Sequence, residues 1–312
     1  MINLNSYGNC TTDLRGTGSR SCDIQSFGDV LGIGLLTKGF TWTVATDTIN
    51  EASWIARIKA FGLFPFLGIY NFEQNTPDNE TNTSSTGVLS KVRNGKPQFS
   101  FGFDKGGCFH KALYDKSGKS KWDLAMMFDK GLLLATNQAG DKVKGFNMGL
   151  FDVETFKLVQ GTDPQMSMAK IQLLDAEEFN LRFQFFTWEQ LGFNALEVEG
   201  VVDVLITPET VEDGQSNILV QIASACNNDD IIVGLDDEAS YSVTVDGVAN
   251  VVTEVTYDTD TLKYTLALTS AVATGDVVVI KLKSGSTDVA EDASGNLFKG
   301  TVTLTVVEAP SV

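Results

Sequence analysis

The chain has 312 residues, 43% of them hydrophobic, and a mean hydropathy near zero, enough for two cores of ordinary size. It carries 23 Lys/Arg against 40 Asp/Glu, a net charge of −17, which excludes a nucleic-acid binder built on clustered cations. No window supplies the roughly 18 apolar residues of a membrane-spanning helix, and MINLNSYGNCTTDLRG lacks the basic and apolar regions of a secretory signal.

Residues 1–26 read as a polar N-terminal arm, rich in Gly, Ser and Thr and poor in apolar positions. Such an arm is expected to be ordered by a neighbouring subunit. A β-rich domain is expected over 27–190. GFTWTV alternates as a strand, with Phe40, Trp42 and Val44 on one face. The principal helix follows: Thr48 and Glu51 have capping-box spacing, Trp54, Ile55, Ile58 and Phe61 recur at helical spacing, and Gly62 and Pro65 close it. FGLFPFLGIYNF is too broken for a helix and suggests a buried strand or a subunit contact.

Residues 71–87 read as a long polar loop, a length that is usually functional. The triplets at Asn79 and Asn82 match a glycosylation pattern by chance. Asn94-Gly95 between VLSKV and PQFSFGF predicts a hairpin. CFHKALYDK predicts two helical turns. KWDLAMMF, GLLLAT, VKGFNMGLF, TFKLVQ, MAKIQLLD and LRFQFFTW then read as successive strands separated by turns. The fold expected is mainly β: a β-sandwich or α+β domain with one principal helix.

EQLGFNALEVEG ends this domain, with a linker over 191–200. Composition shifts at GVVDV, from Gly200. Residues 201–312 hold 4 Lys/Arg against 18 Asp/Glu, a net of −14, whereas residues 1–200 hold 19 against 22, a net of −3. VVDVLI, NILVQIAS, YSVTV, EVTYD, KYTLAL, DVVVIKL and TVTLTV give seven strands at turn spacing, the count and size of an immunoglobulin-like sandwich.

Chemistry-bearing residues are sparse. His110 is the one histidine, so any Ser-His or Cys-His arrangement must use it. Its neighbour Cys108, two positions away, is expected to be a free thiol, as are Cys10, Cys22 and Cys226. A Cys10–Cys22 bridge is the alternative. Glu177-Glu178 and Asp236-Asp237-Glu238 are acid pairs that read as solvated turns. Asn227 to Asp230 and Asp236 to Glu238 bracket IIVGL and could offer oxygens to Ca²⁺, but without EF-hand spacing. Asp104-Lys105-Gly106-Gly107 and Gly16/Gly18 do not form a phosphate cradle. Met126-Met127 and Met166/Met168 read as strand core. No catalytic, cofactor or metal residue is assigned.

VVDVLITP from Val201, the Gly275-Asp276 turn before VVVIKL, and DASGNLFKGTVTLTV from Asp292 resemble bacterial Ig-like domains of surface proteins and phage virions. The order of modules resembles major tail-tube proteins of long-tailed phages that carry a C-terminal Ig-like domain. The resemblance implies a virion structural protein, a tube or ring subunit that associates with itself and with other virion proteins. Its Ig-like module would be displayed outward, and DNA would pass through the lumen without specific binding or membrane insertion. Assembly in the host cytoplasm and incorporation in the virion go with this reading. In such a conduit Lys91, Arg93 and Lys96 are expected at interfaces or outside, and Asp104, Asp129 or Glu154 in the lumen. The rivals are a surface adhesin or carbohydrate-binding protein, and a hydrolase with an Ig-like accessory domain.

Overall fold

The computed structural model describes residues 2, 27–159 and 165–309, and the chain divides into two compact units, 1–198 and 199–312. The fold is mainly β. Most of the arm 1–26, with Cys10, Cys22, Gly16 and Gly18, lies outside the described residues, as do 160–164 and 310–312.

Unit 1 contains β1 Val30–Thr37, β2 Thr41–Thr43, α1 Glu51–Lys59, β3 Leu63–Leu67, β4 Ile69–Gln74, β5 Glu80–Thr83, β6 Leu89–Arg93, β7 Gln98–Phe103, α2 Gly107–Asp115, β8 Gly118–Lys119, β9 Trp122–Phe128, β10 Gly131–Thr136, β11 Lys142–Lys144, β12 Phe146–Val153, β13 Ser167–Leu173, α3 Ala176–Leu181, β14 Phe183–Thr187 and α4 Trp188–Leu191. One layer is the antiparallel run β3-β1-β9-β10-β14, extended through β11 to β2. The other is β12-β13-β7-β4. The two fork at β9. Its Met126–Phe128 end pairs with β10, while Asp123 and Leu124 pair with Asn147 and Phe146 of β12.

Between the layers lies a phenylalanine-rich core. Ile33, Leu35, Met126 and Leu133 come from the first layer, and Phe99, Phe101, Phe103, Phe151 and Ile171 from the second. The first layer is buried on its other face too, where Trp54 of α1 stacks on Trp42 at 6.4 Å and meets Phe193 at 6.1 Å. Gly34 lets Leu63 pack closely on β1: a Cβ there would stand 3.0 Å from Leu63. Strands covered on both faces read as unbroken apolar runs, which is why β9 and β10 are buried almost end to end. The second layer has one open face, and β13 accordingly alternates buried and open positions.

Several expectations need correction. The capping box of α1 is Asn50 with Ser53, not Thr48 with Glu51. Asn50 accepts from the Ser53 amide at 2.9 Å while its own amide donates to Ser53 Oγ at 3.0 Å. The helix expected over CFHKALYDK is α2, nine residues like α1. Pro65 lies inside β3, at a position opposite Gly34. Asn94-Gly95 makes no hairpin: β6 pairs with β5, and β7 with β13 and β4. Gly95 is instead required by close approach, a Cβ there falling 1.8 Å from the Pro77 carbonyl oxygen. Within TFKLVQ, residues 155–159 form no strand but contribute a single bridge, Lys157 to Met166. The stretch expected as a linker over 191–200 buries Leu191, Phe193, Ala195 and Val198, so much of it belongs to unit 1.

Unit 2 contains β15 Val202–Pro208, β16 Asn217–Ser224, β17 Asn227–Ile231, β18 Tyr241–Val245, β19 Val248–Asn250, β20 Val252–Asp258, β21 Lys263–Leu268, β22 Val277–Leu282, β23 Ala290–Glu291, β24 Leu297–Lys299 and β25 Thr301–Thr305. One sheet runs β20-β21-β16-β15-β24-β23 and the other β19-β18-β22-β25. Their inward positions, among them Ile218, Val220, Ile222, Leu266, Val278 and Ile280, form one core. The Asp292 turn opens β24: its carboxylate accepts from the Ser294 and Asn296 amides at 2.8 and 2.9 Å, with Gly295 at φ +85°.

Candidate functional site

The stretch read as a polar loop is largely a ribbon. β5 and β6 pair only with each other, Glu80 opposite Arg93 and Thr83 opposite Leu89. Ser84 closes the tip, its amide donating to the Val88 carbonyl at 2.9 Å, with Gly87 at φ +80°. At the base, Asn79 Oδ1 accepts from the Gly95 amide at 3.0 Å. Every residue from 77 to 93 is exposed, so the ribbon buries none of its side chains among the described residues. Val88, Leu89 and Val92 are 63%, 66% and 59% exposed. A lone two-stranded ribbon is marginally stable in water, and one that displays three aliphatic side chains is a surface awaiting cover. Lys91 and Arg93 lie on it, Arg93 paired with Glu80, and Lys96 is exposed at its base.

The second candidate is the open face of β12-β13-β7-β4. Register sets it out in rows. Asp152, Lys170, Ser100 and Glu73 stand across the four strands. Leu150, Gln172 and Gln98 form the next row, and Met168, Gly102 and Tyr70 another. A shallow depression of about 180 Å³ is lined by Asn75, Gln98, Ser100, Asp152, Lys170 and Gln172, with Leu150. Asn75 donates to Ser100 Oγ at 2.7 Å. Glu154 flanks the face and is neutralised by Lys170 at 2.6 Å and Lys157 at 3.8 Å. The Lys170 hydrogen bond holds its carboxyl below the usual range. Asp104 and Asp129 are exposed elsewhere in unit 1.

The third is a buried polar network at the fork, which sequence reading missed. Asp123 is fully buried and accepts from Lys38 Nζ at 2.7 Å and from the Gly39 amide at 2.8 Å. Glu178, 2% exposed, pairs with Lys144 and accepts from the Asn147 amide at 2.6 Å. Asn147 joins the pairs. Its Oδ1 accepts from Lys38 Nζ at 3.2 Å, and its Nδ2 donates to Glu178 at 3.0 Å. Lys38 also donates to the Met148 carbonyl at 3.4 Å. Four charges and one amide thus satisfy one another where β12 leaves β9. The burial of Glu178 corrects the expectation of a solvated acid pair at Glu177-Glu178. The signal available was weak: a lone Asp inside an otherwise apolar strand, WDLAMMF.

The remaining candidates do not converge. His110 Nδ1 lies 3.1 Å from the buried Ser167 Oγ and its ring packs on Phe156. Cys108 and Cys226 each take part in a disulfide, which corrects the expectation of a free thiol at these two positions and removes Cys108 as a nucleophile. Among the described residues no group of three or more His, Cys, Asp or Glu is placed to hold a metal ion. Asp237 is occupied in capping the Ala239 amide at 2.9 Å. Met126 and Met127 are core, as read; Met166 and Met168 lie over Gly102, where a Cβ would come 2.8 Å from the Met168 sulfur. No described helix is long and apolar enough to cross a membrane.

No family model matches the chain, and no curated protein matches it.

Proposed function

We propose that this chain is a structural subunit of a tailed-phage virion, a tube or ring protein that assembles with copies of itself and carries its Ig-like unit outward. The observation that carries the reading is the β5–β6 ribbon, exposed along its whole length with three aliphatic residues uncovered. A neighbouring copy is the partner that would cover it and lower its cost in water. The amide-rich, nearly charge-balanced open sheet supports the same reading, since a surface without clustered cations lets phosphates pass. Glu154 fits a lumen less well than a free acid would, because Lys170 neutralises it.

Negative-stain microscopy of the purified chain, beside a variant in which residues 78–93 are replaced by a short Gly-Ser turn, tests this. Rings or tubes are expected from the first and monomers with unchanged tryptophan fluorescence from the second. Assembly that survives loss of the ribbon sinks the reading. A carbohydrate-binding surface protein is the second reading, favoured by the amide-lined depression. It requires monomers and a saturable glycan ligand lost on Gln172→Ala.

A further inference from the structure

The side chain of Asn147 stands between two lysine–carboxylate pairs, and the chemistry available there goes beyond an ion pair. Lys38 presents a primary amine 3.2 Å from the amide oxygen of Asn147. Asp123, with no exposed surface, holds that amine at 2.7 Å. On the far side Glu178, itself held by Lys144, accepts from Asn147 Nδ2 at 3.0 Å and from its backbone amide at 2.6 Å. Glu178 therefore keeps the amide nitrogen turned away from Lys38 and the carbonyl turned toward it. Amine, amide and a buried base are assembled by residues 109 positions apart in sequence, on three different segments of the fold.

We propose that Lys38 and Asn147 form an intramolecular isopeptide bond with release of ammonia. The ammonium of Lys38 passes one proton to Asp123. The freed lone pair on Nζ attacks Asn147 Cγ, forming the new C–N bond and moving the carbonyl electron pair onto Oδ1. A second proton passes from Nζ to Nδ2 on the same tetrahedral carbon. Return of the electron pair from Oδ1 restores the carbonyl, breaks the Cγ–Nδ2 bond and expels ammonia. The third hydrogen of the original ammonium remains as the isopeptide N–H, and the first stays on Asp123, which the Gly39 amide still supports. Nothing is oxidised or reduced, and no co-reactant is needed. The fold supplies what the uncatalysed reaction lacks, an amine and amide held together with a base in place. Asp123 is the catalytic residue, and Glu178 is a positioning residue. The product would tie the turn after β1 to β12 across β9, fixing the fork at which the two layers part. That closes a long loop in the unfolded chain and so favours the native state, as a disulfide does.

Intact-mass measurement of the reduced, denatured full-length chain tests the proposal, followed by peptide mapping. The expected result is a mass short by one ammonia and a branched peptide joining Lys38 to Asn147. Mapping is required because succinimide formation at Asn94-Gly95 would give the same deficit without a branch. Lys38→Arg should restore the full mass, and Asp123→Asn should lower the cross-linked fraction at least about tenfold, as loss of a general base does. Glu178→Gln, which keeps an acceptor for Nδ2, should retain the branched peptide, whereas Glu178→Ala should diminish it while tryptophan fluorescence still reports a folded unit 1. Unmodified Lys38 and Asn147 peptides from the wild-type chain overturn the proposal, and that outcome stands even if a variant fails to fold.

Discussion

The two units secure their irregular joints with different chemistry. At the fork of unit 1, charge meets charge: Lys38 with Asp123, Lys144 with Glu178, and Asn147 between them. In unit 2 the loop before β18 is held by phenols. Tyr241 donates to the Leu235 carbonyl at 2.9 Å, Tyr264 donates to the Ile232 carbonyl at 3.0 Å, and the Leu235 amide donates to the Tyr264 hydroxyl at 3.3 Å. A buried ion pair is costly to desolvate and far costlier to break. A neutral hydroxyl costs less to bury and less to lose. Removing one partner should therefore cost unit 1 more stability than losing one phenol costs unit 2.

The largest expected effect tests the charged joint. Lys144→Met leaves Glu178 buried with only Asn147 to satisfy it, and should destabilise unit 1 by about 3–5 kcal/mol. Adding Glu178→Met removes the stranded charge and should recover most of that loss. All four tryptophans, Trp42, Trp54, Trp122 and Trp188, lie in unit 1. Urea unfolding followed by tryptophan fluorescence therefore reads unit 1 without unit 2. Equal losses in the single and double variants would mean that the network is not coupled.

The same contrast explains what could be read in advance. Unit 2 is a two-sheet sandwich whose longer strands have one inward face, so YSVTV, KYTLAL and VVVIKL show themselves by alternation and turn residues. In unit 1 the first layer is covered on both sides, and GLLLAT carries no alternation from which to infer partners. Asn94-Gly95 misled because a local turn signal was outweighed by the pairing of β7 with β13 and β4. The linker misled because Leu191, Phe193 and Val198 are spaced irregularly, following a short helix and a 3₁₀ turn rather than one period. The fork network was invisible for a further reason: Lys38, Asp123, Asn147 and Glu178 are far apart in sequence, and only the tertiary fold joins them.

A middle-sized effect tests the phenolic joint. Tyr264→Phe removes a donor to Ile232 and an acceptor for Leu235 and should cost unit 2 about 1–2 kcal/mol, leaving the tryptophan transition where it was. Burial pushes the Tyr264 hydroxyl from 10.0 up to about 12, and burial also raises Tyr241. A raised folded value means that unfolded phenols ionise first. Their contribution is therefore complete below pH 10 and is lost as pH rises toward about 12. Tyrosine absorbance in an alkaline titration of the folded chain should show late-titrating phenols, fewer of them in Tyr264→Phe. Simultaneous titration of all phenols near 10.0, with no late component, would contradict the buried joint.

The smallest effect is expected where charge meets charge in water. Lys170 and Glu154 are 2.6 Å apart, with side chains 60% and 29% exposed, so solvent and salt screen them. Their mutual hydrogen bond lowers the Glu154 carboxyl and raises Lys170. Whatever stability Glu154 adds is present above its ordinary 4.5 and lost as pH falls through its lowered value. The Lys170 contribution is lost only at strongly alkaline pH. Lys170→Met should leave the urea midpoint of unit 1 nearly unmoved, in contrast to Lys144→Met. Carboxyl-detected NMR should nevertheless show the Glu154 titration moving back up toward 4.5. In the same variant Asp152 and Glu73 lose the cation of their row, making the open sheet more acidic. If that sheet faces passing DNA, assemblies of the variant should retain even less nucleic acid at low salt, and a gain in retention would place the sheet elsewhere.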